Sequence, residues 1–315
     1  MKNVKNILVI RLSSFGDIVL TFPFLKLLKD YFPNANIYFI TKNIYKNLVE
    51  LSPHIDKIIA VDNDIKITKK LIKKIKFNYI FDLQKNFRSY YLTLFTRGKK
   101  YRYKKENFKK FLLIRFKINL FKEIVPVYRK YINTLSNVVD NIDLLFPKID
   151  LIFNKNPRFE FNYILLSPSS KHFTKIYPAE YFSDIISKNK GNKYILIGDN
   201  SEQDRNICEM LSDNCENTIN LCSKTNFGEL ANLIFNADYV ICNDSGVLHL
   251  AELLGKKVYV FFGSTVKEFG FYPQLSSTVI FENNNIRCRP CSRFGKEKCP
   301  KKHFKCMREI QQNIL

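Results

Sequence analysis

The sequence predicts an α/β protein built from two doubly wound, Rossmann-like halves. Three observations predict it. Short apolar runs alternate with stretches of helical spacing, the signature of a parallel sheet with crossover helices. That pattern occurs twice, on either side of a polar stretch from Lys148 to Glu160. The chain has 315 residues, beyond the ~250–300 at which a single core stops growing. The expected boundary divides residues 1–155 from residues 156–315. Two such halves face each other across a cleft at the carboxyl ends of their strands.

In the first half, "ILVIRL" reads as a buried strand. "DIVLTFPFLKLLKDYF" has helical spacing, with Ile18, Leu25 and Leu28 on an apolar face. "NIYFIT", "DKIIAV" and "NYIFDL" are three further strand candidates. The strands "YILLSP", "KYILIG", "YVICND" and "VYVFFG" follow in the second half. Helices are expected at "AEYFSDIISKN", "SEQDRNICEML", "NFGELANLIFNA" and "SGVLHLAELLG", the last closed by Gly255 as a C-cap. A terminal helix is expected after the cysteine-rich tail.

Charge restricts the partners. Fifty-one Lys and Arg against 29 Asp and Glu leave a net +22. Such a surplus points to a polyanion: nucleic acid, anionic membrane or a phosphorylated glycolipid. The chain is also rich in Lys, Asn and Ile, a bias that an AT-rich genome would give without any such partner, so how much of the charge is functional stays open. From Arg97 to Lys130, thirteen cations face two acids, Glu106 and Glu123, with aromatics interleaved. "FKKFLLIRFKINLFKEI" in that stretch has the pattern of a basic amphipathic helix, suited to anionic head groups or a phosphorylated acceptor, or simply a solvated face. Lys2 and Lys5 precede an apolar run, but Arg11 and Asp17 interrupt it and no cleavage site follows, so no signal peptide is expected. No run approaches the ~20 apolar residues of a spanning helix. The expected location is the cytoplasm, with contact to a membrane only from its surface.

Three loops lie after strands, where open α/β sheets bind ligands. The first is "SSFGD". Gly16 permits a tight turn or the close approach of an acceptor, Ser14 is expected to bind that acceptor too, and Asp17 begins a helix whose dipole favours its ionised form. It reads as a general base or a sugar ligand, or as an ordinary N-cap. The second, "SPSSKHFTKIYP", offers Ser169, Ser170, Lys171 and Lys175 as a phosphate cradle, or is a polar turn. In the third, "CNDSGVLHLAELLG", Asp244, Ser245 and Gly246 stand at a helix start whose free amides bind anions. His249 follows one turn on. After the strand ending near Asp82, Lys85 and Arg88 offer cations for carboxylates or phosphates of an acceptor, or form a basic surface turn.

Taken in order, "ILVIRLSSFGDIVLTFPFLKLLKDYFP", "FDLQKNFRS", the "KIYP" element, "KTNFGELANLIFNADYVICNDSGVLHLAELLGKKVYVFFGST" and the cysteine-bearing tail resemble the ADP-heptose:lipopolysaccharide heptosyltransferase family, glycosyltransferase family nine. The resemblance covers nearly the whole chain and is weakest from about Arg97 to Arg158. It implies a GT-B fold, with the acceptor site in the first half and the nucleotide-sugar site in the second. It also implies an inverting, metal-independent transfer of a heptose from ADP-heptose to an inner-core lipopolysaccharide acceptor. By this resemblance Asp17 is the catalytic base and Lys175 a donor-phosphate lysine. Asp244, Ser245, Gly246 and His249 form the donor loop, and Ser169, Ser170, Glu202 and Thr225 fall at other donor positions. Tyr177 stands where a tryptophan is commoner. The same fold acting on another nucleotide sugar or acceptor glycan is the alternative. A basic nucleic-acid-binding protein would account for the charge but leaves the three loops without a purpose.

Eight cysteines in a chain of this kind suggest thiols or a metal site, not a disulfide scaffold. Cys288, Cys291, Cys299 and Cys306 resemble a structural zinc knuckle, although the second pair is loosely spaced. Packed free thiols are the alternative. No cofactor is expected, the nucleotide sugar being a substrate.

Overall fold

The computed structural model describes residues 4–62, 64–142, 149–275 and 277–311. Lys2, Lys148 at the start of the polar stretch, and the last four residues of the expected terminal helix lie outside them. The chain forms two units. Residues 4–105 and 125–152 make the first; residues 106–124 and 153 onward make the second. Sequence reasoning drew one boundary, after residue 155, whereas residues 106–124 pack with the second unit.

The first unit runs β1 (Asn6–Ile10), α1 (Phe15–Val19), α2 (Phe22–Tyr31), β2 (Asn36–Lys42), α3 (Lys46–Val49), β3 (Lys57–Val61), α4 (Ile65–Lys73), β4 (Tyr79–Asp82), α5 (Phe87–Thr93) and β5 (Lys99–Arg102). The chain then enters the second unit with α6 (Asn107–Phe116) and returns for α7 (Val127–Ile132). All pairings in the first sheet are parallel, in the order β3-β2-β1-β4-β5. Ile7, Leu8, Val9 and Ile10 are fully buried, as a central parallel strand covered on both faces requires.

The single helix expected from Asp17 to Phe32 is two. Pro23, at the second position of α2, has no N–H, and its ring would clash with the carbonyl four residues back, at Val19. α1 ends there.

The second unit continues β6 (Ile164–Ser167), α8 (Ala179–Lys188), β7 (Tyr194–Leu196), α9 (Glu202–Asn214), β8 (Thr218–Asn220), α10 (Phe227–Asn236), β9 (Val240–Asn243), α11 (Gly246–Leu253), β10 (Val258–Phe262), β11 (Val279–Glu282) and α12 (Lys305–Arg308). Its sheet has the order β11-β10-β9-β6-β7-β8, again all parallel. Gly255 just beyond α11 has φ +70°, the left-handed cap expected there. Both units therefore repeat one doubly wound topology. In each, strand order reverses between the first and fourth strands, β1 and β4, then β6 and β9. Ligands of open α/β sheets bind beyond the strand ends at that switch point.

Sequence reasoning missed three strands: β5, β8 and β11. All three lie at sheet edges. With one strand neighbour each they need not be apolar, and "KKYR" and "TIN" do not read as strands. The amphipathic helix expected in the basic stretch forms only as α6, which stops at Lys117 in a left-handed conformation. Its chain is tied to its own unit: Lys117 Nζ donates to the carbonyls of Cys288 (3.0 Å) and Pro290 (2.6 Å), and Asn119 to Glu268. Among the described residues no helix is long and apolar enough to cross a membrane.

Candidate active site

In the first unit the site begins where β1 and β4 diverge. Arg11, one residue past β1, donates from Nη1 to Leu83 O beyond β4 (2.5 Å). Gln84 Oε1 accepts from the amides of Leu12 (2.9 Å) and Ser13 (3.3 Å), joining the two loops. Asp17, in the first turn of α1, meets Arg11 Nη2 at 2.7 Å, with its side chain only 17% exposed. Ser14 adds a hydroxyl bond to the same oxygen at 2.9 Å. Burial pushes the Asp17 carboxyl up, but the Arg11 guanidinium and the Ser14 bonds outweigh it and hold the group below the ordinary carboxylate range. Arg11 is also held charged by Asp17 against its own burial, and lies 5.7 Å over the Tyr131 ring. The result is a carboxylate kept ionised in a largely dehydrated place.

The other first-unit candidates divide. Ser14 is an Asp17 partner. Gly16 sits inside α1, its carbonyl accepting from Leu20 (3.0 Å), rather than at a left-handed turn. Lys85 has φ 46° and its ammonium is bonded to Tyr103 O at 3.1 Å, so it closes the loop after β4. Arg88 is exposed in the first turn of α5. A cation there opposes the helix dipole, a cost that an anionic ligand would remove.

In the second unit the loops after β6 and β9 converge. Lys175 Nζ contacts Asp244 Oδ2 at 2.7 Å, and Thr265 Oγ1 donates to the same oxygen at 2.6 Å. Ser170 Oγ donates to Asp244 O (3.3 Å). Ser245 precedes α11, and its buried hydroxyl has no hydrogen-bond partner among the described residues. Gly246 opens α11, whose first amides have no helical acceptor. His249 is buried, its ring 6.2 Å from Phe271. Ser169 Oγ donates to Asp204 Oδ1 (2.5 Å), and Gln203 Nε2 to Ser170 O (2.8 Å). Glu202 and Thr225 join none of these hydrogen bonds: Glu202 is exposed at the start of α9 and Thr225 is half-buried before α10.

Arg11, Gln84, Asn243 and Thr265 escaped sequence reasoning. Arg11 left a signal, an arginine at the end of an otherwise apolar strand. Asn243 is fully buried, accepts from Tyr177 N (2.9 Å) and donates to Pro168 O (2.8 Å), clamping the Lys175 loop onto β9. Tyr177 is core: it stacks on Phe261 at 3.9 Å, and burial pushes its phenol up to about 12. The eight cysteines are free. Cys288 Sγ lies 3.9 Å from His303 Nε2, Cys306 is buried, and no metal-binding group of three or more His, Cys, Asp or Glu side chains converges among the described residues.

The profile of glycosyltransferase family 9 (heptosyltransferase) matches residues 65–303. The chain belongs to that family. It is a glycosyltransferase of two Rossmann-like units, the GT-B class. Lipooligosaccharide heptosyltransferase 2 of Campylobacter jejuni is 26% identical over 94% of this chain and 91% of the relative. The lipopolysaccharide core heptosyltransferase OpsX of Haemophilus influenzae is 23% identical over 81% of this chain and 78% of its own length. Among solved structures, ADP-heptose lps heptosyltransferase II of E. coli shares the fold at a TM-score of 0.72 and 18% identity, covering 95% of this chain and 96% of that one.

Proposed function

We propose that this glycosyltransferase moves a heptose from ADP-heptose to an inner-core lipopolysaccharide acceptor, with inversion and without a metal ion. The donor and acceptor classes follow the names of its relatives. The observation that carries the mechanism is Asp17, ionised, buried and aligned by Arg11 beyond β1. One Asp17 oxygen takes the proton of an acceptor hydroxyl as that hydroxyl's oxygen attacks the anomeric carbon. The bond from that carbon to the diphosphate oxygen breaks, and its electron pair leaves with ADP. The departing charge is met by Lys175, the α11 amides and the Ser245 hydroxyl. Asp244 orients Lys175. These donors supply the stabilisation a divalent ion would otherwise give. On the acceptor side Arg88, and Lys85 through its loop, suit carboxylates or phosphates of a Kdo- and heptose-bearing lipid. The enzyme would work in the cytoplasm at the inner face of the membrane.

A second reading keeps the chemistry and changes the sugar, because Glu202 and Thr225 reach no group of the Asp244 cluster. A panel of ADP- and UDP-sugars with truncated lipopolysaccharide acceptors, scored by nucleotide release, separates the two. ADP-heptose should turn over fastest; faster turnover of another nucleotide sugar overturns the donor assignment. Activity should survive EDTA, and a loss restored by magnesium would remove the metal-free step.

A further inference from the structure

The α4–α5 face carries apolar side chains in water. Ile67 and Leu71, one turn apart on α4, are exposed, and Ile67 is 68% so. Phe87 and Tyr90 on α5, with Leu94 and Phe95 at its end, continue the face; Phe87 is 85% exposed and Phe95 76%. The two helices pack against each other, while Ile72 and Leu92 on their inner faces enter one core cluster. The outer faces therefore form one patch that the unit's own core does not use.

Two further observations say what covers it. Phe95 has φ 62°, a left-handed position that suits glycine or asparagine. An exposed phenylalanine there is strained on the backbone and in water alike, so folding does not account for it. Charge is the other. Between residues 65 and 97 there are nine Lys or Arg and one acid, Asp82, which is fully buried. Lys66, Lys70 and Lys74 have no carboxylate partner among the described residues, and Lys73 lies 5.2 Å over the Phe95 ring. Around α6, by contrast, three of the cations are used internally: Lys109 pairs with Glu106, Lys110 is buried 5.6 Å over the Phe269 ring, and Lys117 holds carbonyls, which leaves Arg115 as the exposed one on that helix.

We infer that the α4–α5 face docks on an anionic phospholipid surface, its lysines meeting head groups while Ile67, Phe87 and Phe95 enter the acyl boundary. An acidic protein would satisfy the lysines but gives no reason for so many separate apolar tips. This inference rests on the reading of the acceptor as a membrane amphiphile, since α5 also carries Arg88 at its start.

The test is flotation of the full chain with vesicles of phosphatidylethanolamine and phosphatidylglycerol, against phosphatidylcholine alone. The wild type should bind the anionic vesicles, and less as salt rises. Ile67→Ser with Leu71→Ser and Phe95→Asn should lower the partition coefficient by about tenfold or more. Lys66→Glu with Lys70→Glu, which leaves the apolar tips alone, should flatten the salt dependence. Phe108→Ser with Phe111→Ser in α6 should bind like wild type. Both face variants should keep the wild-type circular dichroism and full transfer to a delipidated, soluble acceptor. Wild type that ignores anionic vesicles, face variants that bind unchanged, or loss only in the α6 variant overturns the inference. Vesicle binding without sugar transfer to the soluble acceptor would instead count against the heptosyl reading and leave the face intact.

Discussion

Asp17 shows how one residue can be both buried and reactive. Its neighbours, not its exposure, set its charge. Asp17→Asn should lower turnover by at least about a hundredfold, the scale of a lost general base, while calorimetry shows donor affinity unchanged. Equal turnover would remove it from the base role. Arg11→Gln separates burial from pairing. In the native protein the Asp17 pKa is depressed, so the stabilisation of its charged form is present above the ordinary carboxylate pKa and is lost as pH falls through the depressed value. Without Arg11 burial dominates and raises that pKa. The acid limb of kcat/KM should then move to higher pH, and stability should fall by about 3–5 kcal/mol, the cost of stranding one member of a buried pair. An unmoved limb would mean that another group titrates in it. None of this partnership can be read from the sequence alone: five residues separate Arg11 from Asp17, and only the turn between strand and helix brings them together.

At the scale of elements, the legible and the illegible follow from burial. The central strands β1, β2, β4, β6, β7, β9 and β10 are apolar because both their faces are covered, and each is visible as a run rich in Ile, Val, Leu or Phe. The loops after them were visible because Gly, Ser, Asp and Lys interrupt such runs. What connects the loops was not. Asn243 and Thr265 are polar residues whose contacts are long-range, and nothing local marks them. Lys175→Ala should weaken ADP affinity by about tenfold or more, the effect of losing a charge-assisted bond to phosphate. Asn243→Ala should weaken it too, through the loop, with a slower rate of binding but no change in the number of ions released. An Asn243 variant with wild-type affinity would show that the clamp serves only stability.

For the whole molecule, the unexpected feature is that residues 106–124 belong to the second unit. Lys117 anchors them while holding a left-handed backbone with φ 61°. Lys117→Gly relieves the backbone, worth about 1 kcal/mol, but deletes two bonds from a charged donor, worth about 1.5–3 kcal/mol each before solvent exposure reduces them. The second effect wins. The variant should melt at lower temperature, with faster amide exchange near Cys288 and Pro290; a higher melting temperature would show that the anchor is idle.

The edge strand β5 has a consequence beyond this fold. Lys99 and Lys100, which hid it from sequence reasoning, stand exposed on a strand with one neighbour. A row of open amides there invites a strand from another molecule, and two ammonium groups repel any copy that approaches with the same pair. Replacing both with valine would make the strand easy to recognise and the protein prone to join edge to edge, visible as growing light scattering at concentrations where the wild type stays clear. What conceals the strand from a reader of the sequence also protects the solution state of the protein.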